Sequence, residues 1–176
     1  MQDWLVCQYC WKLIVHFDET FKLSGKKKEK VSKKACKTQQ SVLFYCQTRW
    51  YWCAVAFGLR GAGYDLRELV NEDIKNNPEK YNIKVRDKNI DYRRVRNLFT
   101  YLEGNSINLS TDIKNIDEWQ GGDIVVFSTH IGIVSDKRNK KGIPYVIHHE
   151  RPYQEEYEED ILGSRKNDIK GHFRVS

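Results

Sequence analysis

The strongest constraint on this chain is a matched pair of short β-branched runs, each carrying a histidine. The first is Gly122-Asp123-Ile124-Val125-Val126-Phe127-Ser128-Thr129-His130-Ile131-Gly132-Ile133-Val134, and the second is Tyr145-Val146-Ile147-His148-His149. Runs of this kind separated by polar residues read as antiparallel strands. The intervening Asp136-Lys137-Arg138-Asn139-Lys140-Lys141-Gly142 is polar and ends in glycine, as a hairpin turn would. If Asp136 pairs with Gly142, His130 falls directly opposite His148 on one sheet face. Directly opposed Cβ atoms lie about 4.5–5.5 Å apart, close enough for one imidazole to orient another. His149 then points to the other face. Imidazole titrates near neutrality, so the pair is a candidate general base with its orienting partner. A solitary histidine is more often an ordinary surface or edge residue, and His16 and His172 are assigned that role.

Upstream of the strands the period changes to that of helices. Residues 53–62 read as a buried, small-residue helix that stops at Gly61-Ala62-Gly63. Asp65 is placed to N-cap the next helix, with Glu68 completing a capping box. That helix carries Leu66, Leu69, Val70 and Ile74 on one side and ends at Asn77-Pro78. Asp91 is expected to cap a third helix, with Val95, Leu98, Phe99 and Leu102 inward and Arg93, Arg94 and Arg96 around them. Strands are expected at 124–127, 131–134, 145–148 and 172–175. Helices first and antiparallel strands afterwards make an α+β domain. Residues 1–25 read as a leader or anchor remnant closed by Ser24-Gly25. Residues 26–176 read as a single domain, large enough for one core.

Charge is unevenly placed within a net +6. Eight lysines fall between Lys22 and Lys37, whereas Glu155, Glu156, Glu158, Glu159 and Asp160 form an acidic run. The basic run could make peripheral contact with a membrane or an acidic wall polymer. No aromatic residue interleaves with it, so no specific nucleic-acid partner is expected. Residues 4–17 are apolar but shorter than the roughly 20 residues that span a bilayer. Lys12 interrupts them, and neither a basic n-region nor a small-residue cleavage site flanks them, so they are not read as a signal peptide.

The five cysteines, Cys7, Cys10, Cys36, Cys46 and Cys53, are odd in number and crowd the first third, unlike a disulfide framework. Cys7-Gln-Tyr-Cys10 has knuckle spacing without a second Cys or His pair, so neither a metal nor a cofactor is expected. Cys36 and Cys46 fall in expected helix interiors. Cys53 opens a buried helix, where free backbone N–H groups and partial positive charge favour a thiolate and can hold an oxyanion. Cys53 with His130 therefore suggests nucleophilic hydrolysis.

From about Gly61 to Ser176 the chain resembles the DUF-1287 family. The resemblance rests on Ala62-Gly63-Tyr64-Asp65-Leu66, Asn71-Glu72-Asp73-Ile74, Asn89-Ile90-Asp91-Tyr92-Arg93-Arg94-Val95-Arg96-Asn97-Leu98, Glu118-Trp119-Gln120-Gly121-Gly122-Asp123-Ile124-Val125, His130-Ile131-Gly132-Ile133-Val134-Ser135-Asp136, Val146-Ile147-His148 and Gly171-His172-Phe173-Arg174. It implies a papain-like, NlpC-type core, in which a Cys-bearing helix packs on a small antiparallel sheet bearing the histidines. It further implies a cysteine amidase or endopeptidase acting on bacterial cell-wall peptides outside the cytoplasm, with His130 as base and His148 as the orienting third residue. The family's helix opens with Gly-Val-Cys, then Thr or Ser, then Asp. This chain has Arg49-Trp50-Tyr51-Trp52-Cys53-Ala54-Val55, and a two-residue shift is needed to align Cys53 with the family's Cys. Residues 37–52 do not resemble the family.

The leading expectation is thus a monomeric cysteine hydrolase with Cys53, His130 and His148 as its triad and a peptidoglycan-type peptide as substrate. Arg93 and Arg94 are candidates for holding a substrate carboxylate, against the more ordinary role of helix-surface ion pairing. Asp123 and Trp119 are expected to fix the strand entry. The alternative is an inactive member that binds wall peptides in the same groove. A third class, a basic nucleic-acid-binding protein, rests on the lysine run alone.

Overall fold

The computed structural model describes residues 53–150 and 157–175. The expected leader at 1–25, the lysine run, His16, Cys7, Cys10, Cys36 and Cys46 lie outside the described residues. Among these residues three α-helices come before the sheet: α1 (Cys53–Gly61), α2 (Leu66–Asn76) and α3 (Val95–Asn105). The strands follow: β1 (Ile107–Asn108), β2 (Ile124–Phe127), β3 (Ile131–Arg138), β4 (Pro144–Ile147), β5 (Glu158–Glu159) and β6 (Ile169–Arg174). They form one six-stranded sheet in the order β1-β6-β2-β3-β4-β5, antiparallel at every pairing. The α+β organisation expected from the change of period is the one observed. Among the described residues, no helix is long and apolar enough to cross a membrane.

Local sequence explains the helix boundaries. α1 ends in a Schellman arrangement, in which Tyr64 N–H donates to the Leu59 carbonyl at 2.8 Å and Gly63 N–H to that of Arg60 at 3.1 Å. Gly63 sits at φ 96°, where a side chain would be strained. Asp65 caps α2, its Oδ1 accepting from the N–H groups of Arg67 and Glu68 at 3.1 and 3.4 Å. Glu68 does not close a capping box with it. Its carboxylate instead pairs with Lys88 at 2.9 Å.

Asp91 behaves differently from the expectation. It opens a separate 3-10 turn, Asp91–Arg93, and its Oδ2 accepts from Asp87 N–H at 2.7 Å. Arg94 then occupies the N-cap of α3 in an extended conformation, with no side-chain cap. The Asp91 side chain is drawn back to the preceding loop, so it caps no helix.

Alternation along the strands divides the core in two. One face carries Ile124, Val126, Ile131, Ile133, Ile147 and Phe173, which pack with Val55, Leu59, Leu66, Val70, Ile74, Leu98 and Leu102 of the helices. The other carries Val125, Phe127, Val134 and Val146, covered by Trp119 and Leu162 from the connecting segments. With both faces covered, every residue of β2 is buried. That is why the segment reads as a continuous apolar run.

The entry to β2 is held by a buried carboxylate. The β2–β6 register pairs Ile124 with Phe173 and Val125 with His172, which sets Asp123 opposite Arg174 and diagonal to His172. Asp123 Oδ1 accepts from Arg174 Nε at 2.7 Å. Its Oδ2 takes His172 Nε2 at 2.9 Å, Arg174 at 2.8 Å and the Gln120 N–H at 2.9 Å. Burial pushes the Asp123 carboxyl up, but the hydrogen bonds from His172, Arg174 and Gln120 outweigh it and hold the group below its ordinary range. His172 Nδ1 faces the Ser110 carbonyl at 2.8 Å, so both ring nitrogens meet oxygen atoms. The ring stacks on Trp119 with centroids 3.7 Å apart. Asp123, Trp119 and His172 are thus parts of one structural junction.

Removing a single partner from such a buried network strands the remaining charges, at a cost of about 3–5 kcal/mol. Asp123→Ala should lose that much in urea unfolding, whereas Asp65→Ala, which removes only a helix cap, should lose about 1 kcal/mol. Equal small losses for the two variants would remove Asp123 from this role.

Candidate active site

His130 enters β3 through a tight connection. Phe127 N–H donates to the His130 carbonyl at 2.8 Å, with Ser128 and Thr129 between them. His148 lies one residue beyond β4, its N–H donating to the Tyr157 carbonyl at 2.8 Å. The observed register differs from the one expected. Ile133 pairs with Ile147 and Val134 with Val146, which sets His148 opposite Gly132, and His130 sits diagonally. The cause is the turn. β3 runs on to Arg138, which pairs with Pro144, and the register shifts between Val134 and Arg138. The reversal is therefore made by residues 139–143, with Asn139 N–H donating to the Ile143 carbonyl at 2.9 Å.

The parity survives the shift, because the two histidines still differ from the expected register by an even step. Gly132 makes the diagonal approach possible. A Cβ there would come within 2.4 Å of Val146 Cγ1 and 3.3 Å of His148 Cβ. Across this open position His130 Nε2 reaches His148 Nδ1 at 3.1 Å, with the rings edge to face at 78°. Both residues are 1% exposed.

The proton positions follow from the neighbours. Glu159 of β5 pairs with Val146, one strand over on the same face, and its Oε2 lies 3.5 Å from His148 Nε2. A carboxylate there calls for a proton on His148 Nε2, which leaves Nδ1 as an acceptor for the Nε2–H of His130. The lone pair of His130 then resides on Nδ1. That atom is buried and has no hydrogen-bond partner among the described residues. Burial above all, then the neighbouring His148, pushes the His130 imidazole down to about 4, against the opposing pull of Glu150. Burial lowers His148 as well, with Glu159 and Glu150 working against it. At neutral pH the pair is uncharged and offers a lone pair, the form that a base or a metal ligand requires. His130, His148 and Glu150 also each bring one potential ligand atom within 4.8 Å of the others.

The remaining candidates are placed apart from the pair. Cys53 is the first residue of α1, and its side chain lies outside the described residues. Val55 and Leu59 of α1 pack with Ile131 and Ile133. By strand parity this is the sheet face opposite the one shared by His130, Gly132, Val134, Val146 and His148. Arg93 and Arg94 lie at the 3-10 turn packed on α2 and α3, where the Arg93 guanidinium sits over the Tyr92 ring at 5.5 Å. Sequence reading missed Glu159 and Glu150. The first was hidden in an acidic run, and a two-residue strand has no period to reveal it. Glu150 follows His148-His149 directly in the chain, which was the available signal.

Comparison with known proteins agrees in extent with the described residues. A family whose description is "Domain of unknown function (DUF1287)" matches residues 53–175. The uncharacterized protein YijF of Escherichia coli (strain K12) is 38% identical over 125 residues, covering 66% of this chain and 58% of that protein. The chain therefore spans somewhat over half the length of that relative. No solved structure matches.

Burial of neutral His130 makes folding sensitive to acid. Its imidazole titrates near 6.5 when unfolded and at about 4 when folded. The stabilisation is therefore complete above pH 6.5 and is lost as pH falls through 4, by on the order of 3 kcal/mol. His130→Gln should flatten the decline of unfolding free energy across that window in urea titrations. A slope unchanged from the parent protein would show that His130 does not enter the fold as a buried neutral ring.

Proposed function

The chain belongs to the DUF1287 family, and on that premise we propose that it is a cysteine hydrolase of peptide or amide bonds in bacterial cell-wall peptides, built on a papain-like, NlpC-type core. One observation carries the reading. A buried histidine, His130, has Nε2 engaged by a second histidine and keeps an unpartnered Nδ1 as its lone-pair atom. That is the arrangement of a base whose orientation and tautomer are preset.

In this mechanism Cys53 Sγ attacks the scissile carbonyl while His130 Nδ1 takes the thiol proton. The N-terminal N–H groups of α1 hold the oxyanion. His130 then returns the proton to the leaving amine, and water releases the acyl group in a second step. His148 keeps the His130 tautomer, and Glu159 positions His148. For this step sulfur and imidazole would have to meet at the end of β3, where His130 precedes the first residue of that strand. Arg93 and Arg94 remain candidates for a substrate carboxylate on the helix side. The peptide substrate, an extracytoplasmic setting and a monomeric state belong to the same proposal.

A second reading, an inactive member that binds wall peptides, is favoured by a specific feature. Ala54 and Val55 stand where the family has Thr or Ser and then Asp after its Cys.

Thiol reactivity separates the two. In a short iodoacetamide pulse at about pH 6, Cys53 should label well ahead of Cys7, Cys10, Cys36 and Cys46. An ordinary thiol of pKa about 8.5 is almost wholly protonated and slow there, whereas one beside the neutral His130 passes its proton to Nδ1 as it attacks. His130→Ala should erase the difference, and on a cell-wall peptide substrate it should cost roughly a hundred- to ten-thousand-fold in rate. Uniform slow labelling of all five cysteines would leave the binding reading.

A further inference from the structure

We propose that His130, His148 and Glu150 form a binding site for a divalent transition-metal ion of the zinc type, which would occupy the space between the two imidazoles in place of their shared proton. The proposal shares residues with the hydrolase site but does not rest on Cys53 or on catalysis.

The donor set is two imidazoles and a carboxylate, the composition of a three-ligand zinc centre with an open fourth position. Zinc–ligand distances of about 2.0–2.1 Å in a tetrahedron put neighbouring donors roughly 3.3 Å apart. His130 Nε2 and His148 Nδ1 stand at 3.1 Å. One potential ligand atom of each of His130, His148 and Glu150 lies within 4.8 Å of the others, so a modest closing of the side chains completes the set. Hard cations such as calcium and magnesium call for six or more oxygen ligands, and these side chains bring one carboxylate and two nitrogens.

Independent support comes from what lies behind the ligands. A metal-bound histidine characteristically engages a carboxylate through its other ring nitrogen, which fixes the ring and strengthens the donor. His148 has Glu159 Oε2 3.5 Å from Nε2, the nitrogen turned away from His130. Glu150 is itself held, with Arg165 at 3.2 Å from its Oε1. Arg165 is in turn fixed by Asp168 at 2.6 Å and lies over the Phe127 ring at 4.2 Å. Each side chain of the outer layer therefore orients one of the inner layer, and the two histidines are buried and already turned toward each other. A proton and an ion compete for the same position between the two rings, so bound zinc would displace the shared proton.

Zinc titration of the full chain by calorimetry tests this, with cobalt(II) absorption to report the ligand type. Cys7→Ser with Cys10→Ser serves as the background, because their knuckle spacing could itself take zinc. One ion per chain is expected, with a cobalt spectrum free of thiolate charge transfer and no competition from calcium or magnesium. Cys53→Ser should leave zinc affinity unchanged, which separates this site from the fate of the hydrolase reading. Glu150→Gln, a near-isosteric change at a half-exposed position, should weaken binding at least tenfold. Glu159→Gln should do so by about ten- to a hundredfold. His148→Ala should abolish binding while circular dichroism shows the fold intact. Zinc affinity indifferent to Glu150→Gln and Glu159→Gln, or lost with Cys53→Ser, would overturn the proposal.

Discussion

The buried carboxylate of Asp123 is the interaction on which the rest of the sheet depends. It gathers Arg174 and His172 from β6 and the N–H of Gln120 from the turn before β2, at distances between 2.7 and 2.9 Å. A carboxylate removed from water is costly unless its lone pairs are met, and here they are met by groups separated by about 50 residues of chain. The result is a long-range clasp at one end of β2. Every strand that builds the histidine site is counted outward from it: β2 pairs with β3, β3 with β4 and β4 with β5.

From that anchor the site arises through a missing side chain as much as through those present. Gly132 stands where the cross-strand neighbour of His148 would be, and the absence of a Cβ lets His148 lean diagonally to His130. Two imidazoles so close in a dry environment disfavour charge, and burial sets both below their ordinary values. The pair is consequently neutral near pH 7, which is a requirement common to proton abstraction and to metal ligation. The carboxylates of Glu159 and Glu150 stand behind and beside the pair and decide which lone pairs face which way. Proton and ion are thus alternative occupants of one electrostatic arrangement.

The two core layers also set limits on the chemistry. α1 contributes Val55 and Leu59 to the layer that contains Ile131 and Ile133, whereas the histidines extend into the layer of Phe127 and Val134. Any encounter between the start of α1 and His130 takes place at the boundary of these layers, at the end of β3. Arg93 and Arg94 lie on the helix side, at the 3-10 turn packed on α2 and α3.

The amino-acid sequence alone determined whatever depends on short-range periodicity and local hydrogen bonding. Asp65 had to cap α2, Gly63 had to end α1, and the β-branched runs of β3 and β4 had to yield strands with His130 and His148 on a common face. Parity survives any even change of register, which is why the pairing was legible although the turn was misplaced. Asp91 shows the limit of the same reasoning, since a capping residue was expected and the loop at Asp87 claimed its carboxylate instead. Only the tertiary structure decided the diagonal offset, the partnership of Glu159 and Glu150 with the pair, and the sheet face that α1 covers. Those outcomes are set by contacts between segments far apart in the chain, where the free energy comes from burying surfaces and satisfying charges that no local pattern records.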